Sequence, residues 1–170
     1  PTLSNPTQIS AGNNYVCALD DTGVTCWGAN YYRATEVPTL SNPTQVVTAG
    51  GGRHTCAIDD DGLTCWGRND YGQRNIPTLL NPSQVSASMF HTCAVDDNGV
   101  TCWGRNDNGE TTVPPLSNPT QVAVGEGYTC ALDDDGVTCW GSGDYGQTNV
   151  PSGLVYVIEP SIQNLSLIHI

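Results

Sequence analysis

Lysine is absent from this chain, and five arginines stand against seventeen acidic residues, for a formal net charge of −12. Such a surface repels phosphate backbones and anionic headgroups, which argues against nucleic acid and membrane surfaces as partners. Long apolar runs are missing too: nothing approaches the roughly 18 consecutive apolar residues that a membrane span requires. Helical periodicity is missing, because apolar stretches are short and bounded by Gly, Asp, Asn or Pro. No Ser/His/Asp, metal-ligand or paired-carboxylate set recurs outside turns, so the expectation is a non-catalytic protein with no cofactor and no metal. The chain opens on Pro1 without Met or a leader segment, and the true N-terminus is expected upstream.

What is present is repetition. Cys17–Gly28, Cys56–Gly67, Cys93–Gly104 and Cys130–Gly141 superimpose without a gap, and Asn5-Pro6, Asn42-Pro43, Asn81-Pro82 and Asn118-Pro119 keep the same beat between them. A period of this length signals a solenoid, propeller or array. In the second unit the pattern predicts strands over Gln45–Ala49, His54–Ile58, Leu63–Gly67 and Arg74–Ile76. Four strands per unit make a propeller blade, so the expected fold is an all-β propeller of four-stranded blades. The repeats are placed at about 1–37, 38–76, 77–113 and 114–150, with a fifth strand set starting at 151–158 and closing a partial propeller of residues 1–158. A tail spans 159–170, of which 165–170 reads as a translated sequencing adapter.

Between the second and third strands lies an Asp-Asp-Xaa-Gly turn: 20–23, 59–62, 96–99 and 133–136. Asp bonds its own backbone in turns, and Gly supplies positive φ. If these four residues form the loop, Leu19 faces Val24 and Cys17 faces Cys26. Directly opposed antiparallel residues lie about 4.5–5.5 Å apart, within reach of a disulfide. The pairs expected are Cys17–Cys26, Cys56–Cys65, Cys93–Cys102 and Cys130–Cys139, each stabilising its hairpin by roughly 2–3 kcal/mol. Buried free thiols are the alternative, and a zinc site would need ligands that no unit supplies. Cysteine pairs point to an oxidising compartment: secretion, an extracellular surface, or the periplasm.

The run Gly51-Gly52-Arg53-His54-Thr55-Cys56 through Cys65-Trp66-Gly67-Arg68-Asn69-Asp70-Tyr71-Gly72-Gln73 resembles a regulator-of-chromosome-condensation repeat, and the likeness covers residues 8–151. That family forms rings of about seven blades, so the resemblance implies that four repeats are a fragment of such a ring. The endings Gly72-Gln73 and Gly146-Gln147 are similar to a short-repeat bacterial secreted subgroup that includes β-lactamase-inhibitory propellers. Arg33-Ala34 and Gly109-Glu110 depart from that pattern.

Strands alternate in direction, so one face receives every Asp-rich turn and Asn-Pro linker, with ten of the seventeen acidic residues. Asp59-Asp60-Asp61-Gly62 suggests either a calcium site or solvated turn residues, and the tight turn, which directs its carboxylates outward, favours the latter. The other face carries residues that differ between repeats: Tyr31, Tyr32, Arg33, Arg53, His54, Arg68, Asp70, Tyr71, Phe90, His91, Arg105, Asp107, Tyr128, Asp144 and Tyr145. Positions held fixed, such as Trp27, Trp66, Trp103 and Trp140, are explained by packing that every blade repeats, whereas varied ones are free to specify a partner. Tyr, Arg and Asp are the residues that interfaces favour, and in the inhibitor propellers this loop face grips the target. His54 and His91 exchange with Tyr15 and Tyr128, which suggests packed rings more than acid–base groups.

The function expected is an extracellular protein-binding propeller, an inhibitor or cell-surface interaction module whose partner is another protein. A glycan-binding or adhesive array is the alternative, followed by a hydrolase or a guanine-nucleotide exchange factor. Non-reducing peptide mapping should return the four within-hairpin cysteine pairs, and bridges between repeats would break the hairpin register.

Overall fold

The computed structural model describes residues 1–152, so the 153–158 part of the expected fifth strand set and the 159–170 tail lie outside the described residues. Twelve strands form four separate antiparallel sheets: β1 (Gln8–Ala11), β2 (Tyr15–Asp20) and β3 (Gly23–Gly28); β4 (Gln45–Thr48), β5 (His54–Asp59) and β6 (Gly62–Gly67); β7 (Gln84–Ala87), β8 (His91–Asp96) and β9 (Gly99–Gly104); β10 (Gln121–Val124), β11 (Tyr128–Asp133) and β12 (Gly136–Gly141). Each sheet is a blade of three strands rather than four. Arg74–Ile76, the expected fourth strand, forms no strand: Arg74 ends a turn and Asn75 and Ile76 are irregular. Its backbone N–H groups are already used locally, Arg74 donating to Asn69 Oδ1 at 2.8 Å, Asn75 to the Gly72 carbonyl at 2.9 Å and Ile76 to the Arg74 carbonyl at 2.9 Å. No N–H of the segment is left to donate to a ladder.

The hairpins follow the expected register. Leu19 faces Val24, Asp20 faces Gly23, and Cys17 faces Cys26. Asp20–Gly23 closes the turn, pairing types alternate outward, and the cysteines therefore meet at a non-hydrogen-bonded position, where strands approach most closely. All four disulfides form inside their hairpins, with Cα–Cα distances of 4.0–4.1 Å. No cysteine is free.

The acidic turns are fasteners more than solvated decoration. Asp20, Asp59, Asp96 and Asp133 are buried. Each accepts a linker N–H, from Ser4, Ser41, Leu80 and Ser117 at 2.8–2.9 Å. Each also accepts an N–H two residues on, from Thr22, Asp61, Asn98 and Asp135. The following aspartates, Asp21, Asp60, Asp97 and Asp134, each accept a bond from the linker asparagine at 2.6 Å. These hydrogen bonds hold the Asp20 carboxyl below the ordinary carboxylate range, the Thr22 hydroxyl contributing most.

Blades pack face to face, and first strands of neighbouring blades meet near the axis. There the free edge of a first strand is met by a glutamine of the preceding blade. Gln8, Gln45 and Gln84 each open their own first strand, and their Oε1 atoms accept the N–H of Val46, Val85 and Val122 at 2.8–2.9 Å. An exposed strand edge is thereby closed by a side chain. Val46, Val85 and Val122 are fully buried in these seams, whereas Ile9, their equivalent in blade 1, is 71% exposed. At the other end Val137 of blade 4 is 36% exposed. Four repeats with uncovered outer faces fit a fragment of a ring.

Removing either fastener leaves part-buried backbone N–H groups without their partners, at roughly 1 kcal/mol each. Gln84→Ala and Asp96→Ala are each expected to lower the urea midpoint by that amount of stability, without altering the disulfide pattern. A midpoint equal to wild type would remove the fastening role.

Candidate functional site

The loops opposite the acidic turns are tied together before any side chain is considered. After each Trp-Gly step, a backbone N–H donates to a carbonyl of the first loop in the same blade: Ala29 to Asn14, Arg68 to Arg53, Arg105 to Phe90, Ser142 to Gly127, at 2.8–3.0 Å. The glycine is required. Gly67 has φ +95°, and a Cβ there would lie 2.3 Å from the Arg53 carbonyl oxygen. Within the second loop, Asn69 and Asn106 accept the N–H groups of Arg74 and Thr111 at 2.8–2.9 Å. Side chains on these loops therefore stand on a braced backbone.

On that base, arginines and aromatic rings alternate across three blades. The Arg53 guanidinium lies 4.5 Å from the Tyr31 ring centroid and 5.7 Å from that of Tyr32. Arg68 sits 5.7 Å from both Tyr32 and Tyr71. Tyr71 meets Phe90 edge to face at 5.1 Å, and Arg105 lies 4.9 Å from Phe90. The order Tyr31, Arg53, Tyr32, Arg68, Tyr71, Phe90, Arg105 is one continuous ladder that crosses two blade seams. Such cation–π contacts contribute about 0.5–1 kcal/mol at exposed sites and more when desolvated.

Two carboxylates orient the ladder. Asp70 accepts the Nε–H of Arg68 at 2.7 Å, and Asp107 that of Arg105 at 2.5 Å. The bond to Asp107 raises the Arg105 pKa. The terminal amino groups of Arg53, Arg68 and Arg105 make no hydrogen bond within the described residues, where every side-chain bond of the ladder guanidiniums uses Nε. Tyr31, Tyr32 and Tyr71 remain 43–54% exposed.

Other expected residues fall elsewhere. Arg33 takes no part in the ladder, its side chain being 82% exposed beside Glu36. Tyr128, Asp144 and Tyr145 line a separate open concavity of about 570 Å³ with Glu126, Ser142 and Gln147, and Arg105 at its rim. His54 and His91 are fully buried, so neither ring reaches the loop surface, and their expected place on the binding face is corrected. Among the described residues no group of three or more His, Cys, Asp or Glu is placed to hold a metal.

The family model for the regulator of chromosome condensation (RCC1) repeat matches residues 7–33, 45–73, 83–110 and 120–147. The chain belongs to that family. Prp20p from Saccharomyces cerevisiae is similar in structure, with a TM-score of 0.75 at 18% identity over 91% of this chain and 50% of that one. The ectodomain of the Physcomitrella patens receptor kinase CR4 is similar with a TM-score of 0.68 at 26% identity, over 86% of this chain and 43% of that one. The ectodomain of the Arabidopsis thaliana receptor kinase ACR4 is similar with a TM-score of 0.67 at 24% identity, over 89% and 54% respectively. This RCC1-repeat chain thus spans about half the length of the structures it resembles. No curated protein matches it in sequence.

The RCC1-repeat seam also explains the two departures from Gly-Gln. The next blade uses the backbone at that position: Trp66, Trp103 and Trp140 donate their indole N–H to the carbonyls of Ala34, Gln73 and Glu110 at 2.9–3.0 Å. Thr55, Thr92 and Thr129 donate their hydroxyls to the same three oxygens. The side chains of Gln73 and Glu110 only brace their own loop, accepting the N–H of Tyr71 and Asn108. Ala34 has no such brace, and a single 3-10 turn over Tyr31–Arg33 takes its place, with Tyr32 at φ +58° and Arg33 at φ +62°.

Because Thr92 and Thr129 spend their hydroxyl protons on those carbonyls, their oxygens accept from His54 Nε2 (3.0 Å) and His91 Nε2 (2.9 Å). Both rings are therefore neutral Nε2–H tautomers in the seam. His54 Nδ1 is buried without a partner, and desolvation lowers its pKa to about 3, assisted by His91, Arg74 and Arg68. His91 is lowered to about 4, again mainly by desolvation, with Glu110 opposing. Between pH 6.5 and about 4 the unfolded chain takes up protons that the folded chain refuses, so stability falls as pH falls, by up to about 1.4 kcal/mol per pH unit for each histidine. The urea midpoint is expected to drop across that window, and His54→Tyr, the residue at the equivalent position 15, to flatten the drop. Equal slopes in both proteins would contradict the assignment.

Proposed function

We propose that this chain is the sector of an extracellular, non-catalytic propeller that binds another protein through the loop face opposite its acidic turns. The observation that carries the reading is the arginine–aromatic ladder. Exposed tyrosines and arginines held by a rigid scaffold lose little conformational freedom on docking, and such residues dominate interface energetics. Four disulfides suit an oxidising, extracellular setting. Among the described residues no helix is long and apolar enough to cross a membrane. Protein binding also has precedent in the family fold: Prp20p is described by its binding to Gsp1p and histones.

A ladder built for protein should be sensitive to shape as well as charge. Wild type and a Tyr32→Ser/Phe90→Ser variant, immobilised in parallel, are to be exposed to secreted and cell-surface protein fractions and to a glycan array. Proteins retained by wild type and lost by the variant, with no glycan signal, are expected. Retention by both proteins alike, or binding to glycans alone, would defeat the reading.

A further inference from the structure

We infer that the ladder is a receptor for an extended acidic segment of the partner, its carboxylates docking on Arg68 and Arg105 and an apolar side chain between them on Tyr71 and Phe90. The inference rests on the protein-binding reading above and adds the chemistry of what is bound.

Four observations converge on it. First, charge is segregated across the disc. All five arginines lie in the loops between first and second strands or after third strands, where six carboxylates roughly balance them, while the turns of the opposite face hold ten acidic residues and no arginine. An acidic segment is repelled from the turn face and meets its cations only on the loop face. Second, Arg68 and Arg105 hold equivalent positions in successive blades and are built alike. Each is anchored through Nε by an aspartate two residues on, shielded to 23% and 30% side-chain exposure, and set against aromatic rings. Third, fixing Nε leaves the outer amino groups of each planar fork without partners, and that fork matches a carboxylate. Ordering the guanidinium beforehand reduces the entropy lost on docking.

Fourth, the ladder ends where the sign changes. Blade 4 keeps the aspartate, Asp144, but replaces the arginine with Ser142, and Glu126 stands in the adjoining loop. Among the described residues Asp144 accepts a serine hydroxyl, that of Ser142 at 3.2 Å, in place of a guanidinium. The cationic tract therefore has a defined length, covering blades 2 and 3, and a carboxylate-bearing segment is rejected beyond it. A long polyanion such as a nucleic acid tract would have to cross that acidic end on a chain carrying −12, whereas a short acidic segment would not.

The test uses the whole chain in solution over immobilised peptides, read by biolayer interferometry. The probe is a short peptide of Glu-Thr-Leu-Thr-Glu pattern, which places Glu and Leu on one side of an extended strand. Its Gln-for-Glu and Lys-for-Glu versions are the comparisons. The Glu peptide is expected to bind with an affinity that falls as salt is added, and the other two are not. Arg68→Gln and Arg105→Gln should each weaken binding at least about tenfold. Arg68→Lys, which keeps charge but loses the fork, should recover it only in part. Arg33→Gln, outside the ladder, should change it less than about twofold. Unchanged thermal midpoints show that the variants are folded.

Equal binding of the Gln peptide, or indifference to Arg68→Gln and Arg105→Gln, would overturn the inference. So would tighter binding of a single-stranded oligonucleotide or a sulfated glycan through the same arginines. If no acidic peptide binds, yet proteins retained by wild type are lost with Tyr32→Ser/Phe90→Ser, the protein-binding face stands and the acidic-segment receptor falls.

Discussion

Three backbone carbonyls, those of Ala34, Gln73 and Glu110, hold the blades in sequence. Each receives two hydrogen bonds from the next blade, one from an indole and one from a threonine hydroxyl. All six bonds involve buried or half-buried donors, where an unmatched polar group is costly. The rest of the structure answers to that geometry. Because the acceptor belongs to the main chain, the side chain at the position is free to change, and it does, from Gln to Glu to Ala. Where it becomes Ala, the loop keeps its length, takes a 3-10 turn over Tyr31–Arg33 and carries two exposed tyrosines, Tyr31 and Tyr32. A constraint on the backbone thereby permits variety in the side chains that face a partner.

Each blade is otherwise self-sufficient. A disulfide joins its second and third strands across a sequence separation of 9, and the buried aspartate of its turn pins the incoming linker. These are local fastenings that any blade can make without its neighbours, so the seams need only align units that are already built. The glutamine that opens each first strand completes the division of labour, since it closes a strand edge that a three-stranded blade cannot close from within. Small cores stapled by disulfides suit a setting where thiols stay oxidised.

The repeat, the hairpin register and the cysteine pairs were legible because each depends on spacing alone: an even turn puts Cys17 opposite Cys26 whatever surrounds them. Sorting loops by face was equally safe, since strand direction alternates. The fourth strand was misread at Arg74–Ile76, where a β-like composition hides asparagine side chains and turn glycines that consume the backbone donors first. His54 and His91 carry two signals in the sequence, a place on the varied loop face and an exchange with tyrosine that suggests packed rings, and burial decides for the second. Their exchange with Tyr15 has its cause in the seam: either ring can bridge to the next blade's Thr55 or Thr92, Tyr15 through its hydroxyl and His54 through Nε2. The roles of Gln8, Gln45 and Gln84 are invisible in the sequence although the residue recurs in every unit, for the N–H that each accepts lies about one repeat away and no local pattern reveals an edge that needs closing.

Variation between repeats is thus informative only when joined to burial. At positions 54 and 91 it reflects two solutions to one seam. At positions 68, 105 and 142 the anchoring aspartate two residues on is retained throughout, and what is lost at 142 is the cation together with its aromatic contacts. The backbone does not distinguish Arg from Ser there, since the N–H of all three makes the same bond to the adjoining loop. What distinguishes them is the charge presented outward, positive or neutralised over blades 2 and 3 and negative at blade 4. A face that keeps its scaffold and changes its sign along one direction can orient what docks on it, so that a partner of matching polarity has one register and a reversed partner has none.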